Sequence, residues 1–103
     1  MQKINIVGNL FADAELKTST KDGESREFIT FRVAVNQRYR DADETTTYEV
    51  AMRKTGIYDY LKKGQKVAVS GDLRMYTTEK EGKQYVHLAV LNPDVELCGG
   101  KKD

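Results

Sequence analysis

The sequence predicts an all-β domain. Period-two alternation of apolar and polar residues recurs along the chain, a sustained helical period does not, and turn-forming residues separate the alternating runs. The first run, Lys3 to Asn9, sets Ile4 and Ile6 among Lys3, Asn5 and Val7 and closes on Gly8-Asn9, which permits a sharp bend or bulge. Lys17 to Ser25 is polar and reads as a connection, with Lys21-Asp22-Gly23 supplying turn chemistry. The second strand, Glu27 to Asn36, puts Ile29, Phe31, Val33 and Val35 on one face and Phe28, Thr30, Arg32, Ala34 and Asn36 on the other.

The third strand, Thr46 to Arg53, opposes Tyr48, Val50 and Met52 to Thr47, Glu49, Ala51 and Arg53. Ile57 to Lys63 carries Ile57, Tyr60 and Leu61 at helical spacing and stops at Gly64, which predicts a short helix with a glycine cap. Lys66 to Tyr76 resumes the alternation as a fourth strand, with Val67, Val69, Gly71, Leu73 and Met75 on one side and Arg74 and Tyr76 on the other. Glu79 to Lys83 reads as a hairpin connection, and Gln84 to Leu91 as a fifth strand ended by Asn92-Pro93-Asp94. Three strands, a short helix, then a two-stranded hairpin is the order of a five-stranded Greek-key barrel of OB type, with the helix between strands three and four. At 103 residues and 11.7 kDa one core is all the chain can build. Residues 1–98 are expected to form it, and residues 99–103 a disordered tail.

Composition narrows the function by exclusion. Seventeen Lys and Arg against sixteen Asp and Glu leave a net charge of +1, so any basic site must be local. The longest apolar run, Leu88 to Leu91, is far short of a membrane span, and Met1 to Leu10 has no continuous apolar stretch of the kind a secretory signal needs. A cytoplasmic location without membrane partners is the expectation. One cysteine, Cys98, and one histidine, His87, cannot assemble a disulfide or a structural zinc site, so no metal or cofactor is expected. His87 lies in an alternating run and reads as an ordinary strand residue, and Cys98 has no neighbour to activate its thiol. Asp41, Asp43 and Glu44 lack a calcium loop around them and read as a solvated turn. The scattered glycines make no phosphate loop, and nothing in the inventory suggests an enzyme.

The distinctive feature is a set of cations beside aromatic rings at strand ends. Arg38-Tyr39-Arg40 ends the second strand, Tyr48 opens the third with Arg53 and Lys54 at its far end, and Arg74 with Tyr76 ends the fourth. Unstacked bases offer π-faces to tyrosine while guanidinium and ammonium groups hold phosphates, so the mixture suits single-stranded nucleic acid. No recognition helix or zinc module for duplex DNA is present. A tyrosine on a small barrel is also a common packing residue, and an arginine beside it a common surface charge.

Ile4-Asn5-Ile6-Val7-Gly8-Asn9-Leu10 with Asp13 and Glu15, Tyr60-Leu61-Lys62-Lys63-Gly64, and Val67-Ala68-Val69-Ser70-Gly71-Asp72-Leu73-Arg74, in that order, resemble the bacterial single-stranded DNA-binding protein (SSB) family over almost the whole chain. The resemblance implies an OB-fold, sequence-tolerant binding of single-stranded DNA without a cofactor, a role in replication, repair or recombination, and a homo-oligomer, usually a tetramer. It implies that Tyr39 and Tyr48 stand at or near base-stacking positions, that Arg74 is the basic residue entering the long hairpin with Tyr76 on the same face, and that Arg32 projects from the binding face. Arg38, Arg40, Arg53 and Lys54 complete the expected phosphate contacts. The chain departs from the family in having no tryptophan, in reading Met52-Arg53-Lys54-Thr55-Gly56 where an aromatic-Gly-Lys segment is expected, and in ending Lys101-Lys102-Asp103 where many members carry an acidic, hydrophobic tip. The alternative reading is a protein-interaction OB-fold subunit of a replication or primosome complex, with the tyrosines forming an interface. A dimer is the alternative to the tetramer, and an oligosaccharide-binding OB domain is a third possibility.

Overall fold

Among the described residues the chain forms six strands, β1 (Lys3–Leu10), β2 (Glu15–Lys21), β3 (Glu24–Tyr39), β4 (Ala42–Met52), β5 (Lys66–Lys80) and β6 (Lys83–Cys98). The computed structural model describes residues 2–98, so the expected tail at 99–103 lies outside the described residues. The sheet order is β1-β5-β6-β4-β3-β2, and β1 turns back to pair β3 through Asn9↔Ala34 and Leu10↔Val33, which closes the barrel. Among the described residues only β4 and β6 run parallel, at Glu49↔Ala89 and Val50↔Val90. Closure requires the backbones of β1 and β3 to approach closely at Gly8. A Cβ there would collide with the Ala34 carbonyl oxygen and lie 2.8 Å from Val33 Cγ1. Ile29, Val33, Val50, Leu61, Val67 and Val90 are fully buried inside, each on the apolar face of its alternation or in the connection that seals the barrel.

The strand count differs from the expected five because the polar segment before Ser25 is itself a strand. Every residue of β2 is exposed, so neither face imposes an apolar period. Its pairing is fixed instead by the two-residue turn Asp22-Gly23, both with positive φ (52° and 80°), which sets Lys21↔Glu24 and runs the ladder to Glu15↔Thr30. The expected helix over Ile57 to Lys63 is reduced to one 3-10 turn, Tyr58–Tyr60. Seven residues are too few to be stable as a helix on their own, and the backbone groups at the end of this segment bond to the barrel instead. The segment seals the barrel end through its backbone: Ala14 N–H donates to Leu61 O at 2.9 Å, Gly64 N–H to Leu10 O at 2.7 Å, and Lys63 N–H to Asp13 Oδ1 at 2.8 Å. Leu61 plugs the core, and Gly64, with φ 92°, marks the expected stop.

The fifth expected strand continues through Asn92-Pro93-Asp94 to Cys98. A register shift between Ser70 and Asp72 absorbs the proline: Leu91 pairs with Asp72 and Asp94 with Ser70. The β3–β4 and β5–β6 hairpins run past the barrel as two-stranded arms. Their reach is why the radius of gyration is 15.0 Å, against about 13 Å for a chain this long without projections.

Candidate nucleic-acid interface

The outer face of the sheet is set by register. Arg32 stands opposite Glu49, Tyr76 opposite His87, Arg74 opposite Ala89 and Thr78 opposite Tyr85, while Glu49 lies beside Ala89 in the parallel pair. Four neighbouring strands therefore bring Arg32, Glu49, Arg74, Tyr76 and His87 into one concave surface that also includes Leu91. The Tyr76 hydroxyl donates to Glu49 Oε1 at 2.6 Å, and His87 Nδ1 lies 2.8 Å from Glu49 Oε2. His87 Nε2 is 2.9 Å from the Thr78 hydroxyl. The Tyr76 and His87 rings stack with centroids 4.7 Å apart and planes 11° from parallel, and the Arg74 guanidinium stands 5.1 Å from the Tyr76 centroid.

These contacts set the charge states on the face. Desolvation pushes the Glu49 carboxyl up, but the hydrogen bonds from Tyr76 and His87, with the charges of His87 and Arg32, together hold it below the ordinary glutamate value. The Tyr76 phenol is pushed up, first by its hydrogen bond to Glu49 and then by desolvation, and remains a proton donor at neutral pH. No cluster of three His, Cys, Asp or Glu side chains arranged for a metal occurs among the described residues.

The other expected residues divide between two further places. Arg38, Tyr39 and Arg40 occupy the tip of the β3–β4 arm, all exposed, with the Arg40 guanidinium 5.3 Å from the Tyr39 ring centroid and Arg38 paired to Asp43 at 3.3 Å. Tyr39 continues the row of Val33, Val35 and Gln37, opposite to that of Arg32, on a part of the arm where both faces meet solvent. Arg53 and Lys54 follow β4 into a second concavity, shared with Lys21 and Arg26 and joined to the first at Ala51 and Leu91. Tyr48 is a correction to its expected outward placement. It pairs with fully buried Val33 and packs against the core, half-buried, because Tyr48, Val50 and Met52 form the inward row of β4.

The model of the single-strand binding protein family matches residues 1–98. The chain belongs to that family. It is 33% identical over 101 residues to the single-stranded DNA-binding protein of Treponema pallidum (strain Nichols), covering 91% of this chain and 56% of the relative. It is 31% identical over 83 residues to that of Clostridium perfringens (strain 13 / Type A), covering 79% and 54%. The chain thus spans about half the length of these single-strand binding relatives. Among solved structures it is similar to a small single-stranded DNA-binding protein from Streptomyces coelicolor, with a TM-score of 0.74, 25% identity and 93% of each chain covered. A Plasmodium falciparum SSB in complex with ssDNA superposes with a TM-score of 0.72 over 96% of each chain at 22% identity, a likeness of fold. The OB-type barrel expected from the element order is the architecture of the single-strand binding family.

Sequence reasoning missed Glu49, Thr78, Tyr85 and His87 on this face. The signal was present in Glu81-Gly82: both have positive φ (52° and 79°) and form a two-residue hairpin turn pairing Lys80 with Lys83. A five-residue connection over Glu79 to Lys83 leaves that register open, and His87 then has no assigned neighbour.

Proposed function

We propose that this chain binds single-stranded DNA with little sequence preference, stacking bases on aromatic rings of the outer face and the β3–β4 arm and holding phosphates with arginine and lysine. The observation that carries the reading is the outer face, where the stacked Tyr76 and His87 rings lie beside Arg74 in a concavity shared with Arg32 on the sheet of a single-strand binding family member. Arg38, Tyr39 and Arg40 on the arm extend the face in one direction, and Arg53 and Lys54 extend it in the other. Tyr48 has no part in it, because its ring is committed to the core. Residues 1–98 make up the binding unit, working in the cytoplasm in replication, repair or recombination.

The unit assembles as a homo-oligomer, most simply a tetramer. Supporting this, β1 pairs β5 from Lys3 to Asn9 but meets β3 only at Asn9 and Leu10, leaving its other edge open over residues 3–8. Titration with oligo(dT) at several salt concentrations tests the binding. Tyrosine fluorescence is expected to fall on binding, with log K declining against log salt by about 0.7 per phosphate neutralised. Salt-independent affinity, or equal affinity for blunt duplex, would refute it.

A further inference from the structure

A carboxylate in the middle of a face that binds phosphates is a cost. Glu49 stands directly across from Arg32, and its charge repels the strand that Arg32 and Arg74 attract. Its two oxygens are nevertheless both engaged, one by the Tyr76 hydroxyl at 2.6 Å and one by His87 Nδ1 at 2.8 Å. With the proton on Nδ1, His87 donates to Glu49 and accepts from the Thr78 hydroxyl through Nε2, so both ring nitrogens are satisfied. Each ring is thereby fixed at its polar end, one from β5 and one from β6, by a single side chain on β4.

We propose that Glu49 is a positioning residue for single-strand binding: it holds Tyr76 and His87 as a stacked pair beneath the Arg74 guanidinium before DNA arrives, and this preorganisation outweighs the repulsion of its charge. The inference rests on the reading of the outer face as the DNA surface. A ring already ordered loses little freedom when a base stacks on it, whereas a free tyrosine must be ordered at the moment of binding. Gln at position 49 offers the same contacts without the charge: its amide oxygen accepts from Tyr76, and its N–H donates to Nδ1 of the other His87 tautomer, whose Nε2–H donates to Thr78. Ala removes the same charge and every contact.

The test is oligo(dT) titration of the wild type, Glu49→Gln, Glu49→Ala and Tyr76→Phe across a range of salt. Glu49→Gln is expected to bind at least as tightly as the wild type. Glu49→Ala should bind more weakly than the wild type, and at least roughly two- to tenfold more weakly than Glu49→Gln, the loss from ordering even one of the two released rings, with the same salt slope as the Gln variant because the two carry equal charge. Tyr76→Phe keeps the ring and loses only the hydroxyl, so it should also weaken binding, and it carries the test if Glu49→Ala does not fold. Equal affinities for the Gln and Ala variants, a Glu49→Ala variant that binds as tightly as the wild type, or a Tyr76→Phe variant indistinguishable from the wild type, overturn the inference while leaving DNA binding intact. Failure of the wild type to bind oligo(dT) overturns both readings.

Discussion

The carboxyl of Glu49 also ties the stability of the outer face to pH. Its proton is held less tightly in the folded chain than in the unfolded one, so its contribution is present above the ordinary glutamate range and is lost as pH falls through the lower folded value. Glu49→Gln should flatten that dependence: its melting temperature should drop less than the wild type's between pH 7 and pH 3, measured by circular dichroism. Equal drops would place the acid sensitivity elsewhere, as in Asp72, whose carboxyl is also lowered by hydrogen bonds from Lys3 and Asn92. Tyr39 makes a contrasting prediction, because an exposed ring with an arginine over it has its π-face to offer and no carboxylate anchoring its hydroxyl. Tyr39→Ala should cost about 1 to 3 kcal/mol of oligo(dT) binding and Tyr39→Phe far less, as read by titration. Arg32, Arg74 and Tyr76 were legible as surface residues because alternation alone assigns a face. Glu49 and His87 were not, since their meaning lies in partners 27 and 38 residues apart along the chain, which only strand register brings together.

The turns show how an element can be written plainly in one place and obscurely in another. Asp22-Gly23 and Glu81-Gly82 put glycine at the second position of a two-residue turn, whereas the β3–β4 arm turns through Arg40 and Asp41, both at positive φ (51° and 65°). Side chains there crowd the backbone, although aspartate tolerates the region better than most residues. Asp41→Gly is expected to relieve strain of about 1 to 2 kcal/mol at an unfolded-state entropy cost of about 0.5 to 1 kcal/mol, a net stabilisation of at most about 1 kcal/mol, measured by chemical denaturation. It should also raise oligo(dT) affinity at low salt, since one negative charge leaves the arm tip beside Arg38 and Arg40; unchanged stability would count against the strain argument and unchanged affinity against the charge argument. Strands with one face on the core announced themselves by period, as Glu27 to Asn36 did. β2 has no buried face and the segment before Gly64 spends its backbone groups on the barrel end, so each took its form from neighbours the sequence does not display.

At the scale of the whole molecule, burial and binding both favour more than one copy. Val7 is 52% exposed on the strand whose edge is open over residues 3–8, and a second β1 laid along that edge would pair its free backbone groups. A self-complementary contact of this kind is closed by a two-fold axis, and two such dimers make a tetramer presenting four outer faces. A strand long enough to reach several of them gains avidity with no new type of contact, because each further face binds at a high effective concentration. The expected outcome is a mass near four chains by light scattering at micromolar protein in moderate salt. Affinity for oligo(dT) should also rise by far more than the number of added sites as the strand lengthens from one face's span to several. A monomeric mass refutes the assembly outright. A dimeric mass keeps the β1 pairing and limits the gain with length to two faces, so mass and length dependence together separate the pairing of β1 from the packing of dimers.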